Sequence, residues 1–242
     1  MNSKLSGLMV SDNPELCQYA AEIASIHKLP LDLAFTRLVR TGSAMETLGA
    51  KQIDMKSENS IREIIAKYDF VLSVHCQQIF PPSLFQNIAC FNLHPGLNPH
   101  NRGWYPQVFS ILNNLPTGAT LHRITSTIDG GPVVSQIQVP IFSSDTSREV
   151  YDRIITVEQK ILLEMLPNLC APNFEFKNKP ISKGNYNSKE DFRKLCSLNL
   201  ESKGTLREHI DLLRALTHGD FKNAYYEDEN GDRVYVGIRF EK

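Results

Sequence analysis

The sequence predicts an α/β fold: a mostly parallel open sheet with helices between its strands, followed by a small α+β module that ends in a β-hairpin. Three observations carry this expectation. Short apolar runs of strand length alternate with segments of helical periodicity from Leu5 to Met165, and parallel strands need such crossovers. Capping residues stand at the foot of several of the helical stripes. Near the end, Asn230-Gly231 separates two runs rich in tyrosine and valine, a strong short-range hairpin signal.

Each element follows in order. "KLSGLMV" reads as a buried strand. Asn13 then caps a helix whose first position is Pro14, with Leu16, Ala20, Ile23 and His27 on one face. "LDLAFTRL" and "AKQIDM" are strand candidates, "NSIREIIAKY" is a helix opened by a Ser60/Glu63 capping box, and "DFVLSV" is another apolar strand. "PPSLFQN" gives a helical turn, "IACFNLH" a strand and "YPQVFSILNN" a helix. "GATLHRITSTIDGGPVVSQIQVPI" reads as two strands around an "IDGGP" turn. The clearest helix is "TSREVYDRIITVEQKILLEML", capped by Thr146 and Glu149, with Val150, Ile154, Val157, Ile161 and Met165 in one stripe.

That helix closes an expected catalytic domain over residues 1–168. Residues 169–184, rich in Pro, Asn and Lys, form a connector, and the same passage runs on to Asn187 with room for an edge strand. Residues 185–242 form the C-terminal module: "KEDFRKLCSL", a helix "TLREHIDLLRAL" capped by Thr205 and Glu208, and a hairpin with Val234, Val236, Ile238 and Phe240 alternating on its last strand. Such an exposed edge can pair with a second copy, so a homodimer is expected.

Composition removes several function classes. With 26 Lys plus Arg against 27 Asp plus Glu, the net charge is −1 and no global field recruits nucleic acid. The five cysteines are scattered, odd in number and never spaced as C-x-x-C, which argues against a zinc ribbon or a disulfide framework. No metal is expected. No apolar window approaches membrane-spanning length, and the N-terminus has only a short apolar stretch, so a cytoplasmic protein is expected. "MVSDNPE" follows the first strand where a dinucleotide fold would place G-x-G-x-x-G, which leaves a nicotinamide cofactor unsupported.

The chemistry concentrates in "FNLHPGLNPHNRGWYP", residues 91–106. Asn92 and His94 are two apart at a strand end, so their side chains point the same way, at the edge where α/β sheets bind ligands. An imidazole that titrates near neutrality moves protons, and a neighbouring amide stabilises a carbonyl becoming an oxyanion. Either residue alone would serve as a turn cap or an ordinary strand-end histidine. The second feature is Asp129, at the head of a Gly-Gly-Pro turn, whose carboxylate can reach back to orient His94.

"FNLHPGLNPHNRG…P" followed by "GATLHRI…IDGGPVV" resembles the signature of the formyltransferases that use N10-formyltetrahydrofolate, whose catalytic domain is Rossmann-like. The resemblance implies an Asn92–His94–Asp129 triad. In it His94 takes a proton from the attacking amine, Asn92 holds the oxyanion and Asp129 orients His94 or relays the proton. It also implies folate against Cys76, Gln77, Gln78 and Ile79 and against Thr125, Ser126 and Asp129, largely through backbone groups. The chain departs from many relatives in having Gly-Leu-Asn-Pro after His94-Pro95 and Trp104-Tyr105 before Pro106, which touches the acceptor side of the loop.

The acceptor follows from the C-terminal module. A tRNA acceptor calls for a basic surface, whereas "YYEDENGD" is acidic. Enzymes acting on glycinamide ribonucleotide resemble the catalytic domain alone. "LLRALTHGDFKNAYYEDENGDRVYV" is similar instead to the C-terminal stretch of sugar-nucleotide N-formyltransferases, those for dTDP-4-amino-4,6-dideoxyglucose above all, which serve surface polysaccharide synthesis. Formyl transfer to another amine (another nucleotide amino sugar, glycinamide ribonucleotide or methionyl-tRNA), hydrolysis of formylfolate and non-catalytic nucleotide binding are the alternatives. A nucleotide sugar needs cations or donors at its pyrophosphate and a flat face for its base. Asn13, His100, Arg102 and Arg214 are the candidates for the first, with Gly103 in the same loop, and Trp104, Tyr105 and Tyr225 for the second.

Overall fold

The computed structural model describes residues 4–36, 42–173 and 183–241. The chain divides into two compact units whose sequences interleave: residues 1–94, 119–137 and 156–181 in one, and 95–118, 138–155 and 182–242 in the other. Of the expected connector, residues 174–182 lie outside the described residues, as do Arg37 and Leu38 of the second strand candidate.

The first unit is built on a seven-stranded sheet in the order β3-β2-β1-β4-β5-β7-β8. Its strands are β1 (Gly7–Ser11), β2 (Leu31–Thr36), β3 (Lys51–Ile53), β4 (Phe70–Val74), β5 (Ala89–His94), β7 (Thr117–Arg123) and β8 (Val133–Val139). β1 pairs in parallel with β2 and β4, β2 with β3, and β4 with β5, whereas β5 pairs antiparallel with β7. The parallel strands β1 and β4 are buried at every residue, as apolar runs covered on both faces should be.

Helix α1 (Pro14–His27) starts as expected: the Asn13 side chain accepts from Leu16 N at 3.1 Å, and Pro14 needs no intrahelical partner for its nitrogen. Leu16, Ala20 and Ile23 are buried, but His27 in the last turn is exposed. The short α2 (Gly42–Thr47) has no sequence signature. Helix α3 (Glu58–Lys67) corrects the expected cap: Ser57 accepts from Ser60 N, one turn before the Ser60/Glu63 pair. Ile61 and Ile64 of α3 join Leu8, Val10, Val71 and Phe80 in one core cluster, with the short α4 (Pro82–Phe85) adding Leu84.

Helix α6 (Ser147–Leu169) has its predicted stripe fully buried, from Val150 through Ile154, Val157 and Ile161 to Met165. Thr146 N and Oγ1 both donate to the Glu149 carboxylate.

The second unit holds β6 (Arg102–Gly103), α5 (Pro106–Asn113), β9 (Tyr186–Asn187), α7 (Lys189–Cys196), α8 (Leu206–Leu216) and the pair β10 (Tyr225–Glu227) and β11 (Arg233–Tyr235). Full capping boxes open α7 at Ser188/Asp191 and α8 at Thr205/Glu208. The hairpin forms, but not through a two-residue turn. Glu227 pairs with Arg233, so five residues close it, and Asp228 Oδ1 accepts from Asn230 N and Asp232 N. The turn is therefore organised by Asp228, and Gly231 alone supplies a positive φ of 82°. The last strand ends at Tyr235, short of the alternation through Phe240.

Candidate active site

Strand register brings the reacting groups together. Asn92 of β5 stands opposite His122 of β7, and His94 opposite Thr120. Directly opposed residues project to the same face of the sheet, so all four side chains share one side. The turn after β7 then returns a carboxylate to that face. Asp129 sits at φ 47°, and a Cβ on Gly131 would fall 1.8 Å from the Arg123 carbonyl oxygen, so only glycine lets this turn close against the strand.

Asp129 meets three nitrogens. Its Oδ1 accepts from Asn92 Nδ2 at 3.1 Å and lies 3.4 Å from His122 Nε2, and its Oδ2 lies 3.5 Å from His94 Nδ1. The His94 and His122 side chains are 5% and 2% exposed and Asp129 11%, so these contacts operate with little solvent screening. His122 was not singled out from the sequence. Its Nδ1 faces the Arg123 carbonyl oxygen at 2.9 Å and therefore carries the proton of the neutral ring, leaving Nε2 to accept from Asn92 Nδ2 at 3.3 Å. The only sequence signal for it is the position of the "GATLHRI" run, since nothing local shows that β7 runs antiparallel to β5.

Sheet topology defines a second locus. The order reverses at β1, whose neighbours β2 and β4 lie on opposite sides, and open α/β sheets hold ligands at the carboxyl end of such a switch point. The loops there are tied to each other. Asp12, just after β1, accepts from Thr36 N at 2.7 Å, Thr36 Oγ1 at 2.8 Å and Gln77 N at 2.7 Å. His75, at φ 53°, places Nε2 2.8 Å from the fully buried Glu158 carboxylate. Burial alone would lower the His75 pKa, but the charge and hydrogen bond of Glu158 outweigh it and hold the imidazole above its ordinary value. Gln78 is buried. Its Oε1 accepts from Met55 N at 2.7 Å, and its Nε2 is a buried donor that no group among the described residues satisfies, as expected where a ligand or water completes a site. Gln77 and Ile79 are exposed. Burial, and then the Asp12 charge, push the Cys76 thiol up to about 12, so it is no nucleophile at neutral pH. Thr125 is half-buried and Ser126 exposed in the loop before Asp129.

The predicted acceptor residues divide. Arg102 and Gly103 form β6, and Trp104 and Tyr105 follow, with the Lys189 ammonium 3.7 Å from the Trp104 ring centre and Phe192 stacked 3.9 Å from Tyr105. His100 is half-buried in the same loop. Arg214 has an internal role: it is buried, bonds Asp211 at 2.6 Å and donates to the carbonyls of Phe142 and Asp145. Tyr225 carries the Arg233 guanidinium over its ring at 4.2 Å. Asn13 is the α1 cap.

Residues 34–166 match the "Formyl transferase" family model and residues 191–242 the "N-formyltransferase dimerization C-terminal domain". The dTDP-4-amino-4,6-dideoxyglucose formyltransferase of Mycobacterium tuberculosis is 42% identical over 181 residues, 75% of this chain and 77% of that protein. A sugar N-formyltransferase from a Shewanella species superposes with a TM-score of 0.93 at 43% identity, over 98% of both chains. A 4-N formyltransferase from Francisella tularensis gives 0.90 at 37% identity, again over 98% of both. The chain belongs to the N-formyltransferases, combining their Rossmann-like transferase fold with their C-terminal module.

Proposed function

We propose that this chain transfers the formyl group of N10-formyltetrahydrofolate to the sugar amine of dTDP-4-amino-4,6-dideoxyglucose, for surface polysaccharide or O-antigen synthesis. The observation that carries the reading is one largely shielded carboxylate, Asp129, within reach of both Asn92 and His94 on the sheet face where a carbonyl can be attacked. The identity of the acceptor rests on the Mycobacterium tuberculosis relative and on the 4-N formyltransferase fold neighbour.

A sugar amine is mostly protonated in neutral water and must lose a proton to become a nucleophile. In the proposed reaction its nitrogen attacks the formyl carbon, the carbonyl electrons move onto oxygen, and His94 takes the proton from nitrogen. Asp129, facing His94 Nδ1, holds the imidazolium. Collapse of the tetrahedral intermediate breaks the bond from carbon to N10, which leaves with the proton returned by His94. Asn92 donates to the oxyanion. Its Nδ2 is directed at Asp129 and His122, so the amide exchanges one of those contacts for the oxygen as charge develops.

Cys76 to Ile79 and Thr125 to Asp129 are the proposed folate contacts, with Gln78 Nε2 the buried donor. His100, Arg102, Gly103, Trp104 and Tyr105 are the proposed acceptor contacts, and Arg214 falls out of that set because its guanidinium is bound internally. The dimerization-domain match at residues 191–242 supports a homodimer. No helix among the described residues is long and apolar enough to cross a membrane, and all five cysteines are free, which supports action in the reducing cytoplasm. Incubation with dTDP-4-amino-4,6-dideoxyglucose and N10-formyltetrahydrofolate should give, by mass spectrometry, a sugar nucleotide heavier by one formyl group. Absence of both product and sugar-nucleotide binding would overturn the assignment.

A further inference from the structure

The segment Lys183–Phe192 lies almost wholly between the two family matches, which end at residue 166 and begin at residue 191. It nevertheless makes the contacts that shape the loop from Pro99 to Tyr105. β9 pairs in parallel with β6, Arg102 N donates to Asn185 O at 3.1 Å and Trp104 N donates to Asn187 O at 2.9 Å. Asn185 also grips Asn101, which is fully buried at φ 49°. Its Oδ1 accepts from Asn101 N at 2.8 Å, and its Nδ2 donates to Asn101 Oδ1 at 2.6 Å. Gly184 admits the close approach, since a Cβ there would fall 1.8 Å from the Pro99 carbonyl oxygen. Past β9, Lys189 covers a face of Trp104 and Phe192 a face of Tyr105.

A non-glycine residue in left-handed backbone persists only where its surroundings hold it. Asn101 is held by two elements of sequence: Ser110 and Asn113 from α5, and Asn185 and Asn187 from the strap. Asn185 alone reaches both its backbone nitrogen and its side-chain oxygen. The conformation from which Arg102, Gly103 and Trp104 project is thereby set by residues more than eighty positions away in sequence.

We propose that Lys183–Phe192 is a specificity-determining strap of the acceptor site. Asn185 is a positioning residue for Arg102 to Tyr105, and Lys189 supplies a cation beside Trp104 for the diphosphate of a nucleotide sugar. The proposal rests on the reading that this loop faces the acceptor. Trp104 is the only tryptophan in the chain, so emission excited at the red edge, where tyrosine does not absorb, reports on the loop alone.

The test uses the full chain with Asn185→Ala and Lys189→Met. Both should raise the acceptor KM by about tenfold, the effect of losing one or two polar contacts, with the KM for N10-formyltetrahydrofolate unchanged. Titration with dTDP alone, followed by Trp104 emission, should show the same weakening without turnover. Equal rises in both KM values, or wild-type acceptor KM and dTDP titration in both variants, would overturn the proposal. If Asn185→Ala fails to fold, Lys189→Met, a surface change, decides it by the same readouts. A wild-type protein that forms no formylated sugar would refute the function proposed above, and the dTDP titration would still judge the strap.

Discussion

Asp129→Asn is the sharpest perturbation of the proposed chemistry, because it removes a charge and keeps the shape. His94 Nδ1 lies 3.5 Å from Asp129 Oδ2, and both side chains are largely shielded from water. When His94 accepts the amine proton, the new imidazolium faces a carboxylate at that distance. With an effective dielectric of about 20, the attraction is about 5 kcal/mol. A neutral amide keeps part of this as a hydrogen bond, leaving about 4 kcal/mol of lost transition-state stabilisation, or a fall in kcat of about 10³-fold. Binding of the sugar nucleotide should change little, since the charge acts on the acceptor amine only once the proton has moved. Initial rates of tetrahydrofolate release at saturating acceptor, with dTDP affinity from a separate titration, measure the two effects. A kcat within tenfold of wild type, in a folded variant, would refute the role given to Asp129.

Three further outcomes follow from other parts of the first unit. Gly131→Ala should destabilise the protein by about 3 kcal/mol in urea unfolding, because the new methyl group meets the Arg123 carbonyl oxygen at 1.8 Å and the turn must move. The same variant should lose activity, since that turn places Asp129. The raised His75 pKa means that the folded state holds a proton more tightly than the unfolded chain. Its stabilisation is therefore complete below the unfolded value of about 6.5 and is lost as pH rises through the higher folded value. The stability difference between wild type and Glu158→Gln should accordingly shrink as pH rises above about 6.5, and growth of that difference would contradict the ion pair. Cys76, pushed up to about 12, should react with iodoacetamide at pH 8 about 10³-fold more slowly than free cysteine, as peptide mass spectrometry can follow.

Much of this was legible in the sequence for identifiable reasons. Helix α6 carries its own start signal at Thr146 and Glu149 and a five-residue apolar stripe, so local information suffices. Asn92 and His94 sit on one strand and declare a common face. What stayed hidden depends on partners distant in sequence. His122 becomes part of the cluster only through antiparallel register with β5. Arg214 looked like a free cation until the carbonyls of Phe142 and Asp145 enclosed it. The two-residue β6 has too few residues for any period to show and exists because β9 pairs with it. At Asn230-Gly231 the dipeptide marked the turn correctly, but Asp228 organised it into a longer loop. The Ser57 cap was missed because Ser60 and Glu63 offered the same capping pattern one turn later.

The antiparallel join of β5 against β7 has a consequence for how such an enzyme can change. Because side chains alternate, a slip of one residue would carry Asn92 and His94 to the wrong face relative to His122 and Thr120, and would dismantle the cluster in one move. Side chains on the acceptor loop that follows β5 are under no such alternation constraint. Selection can therefore vary the acceptor loop together with the strap that holds it, while the proton-handling end of the sheet is inherited whole or not at all.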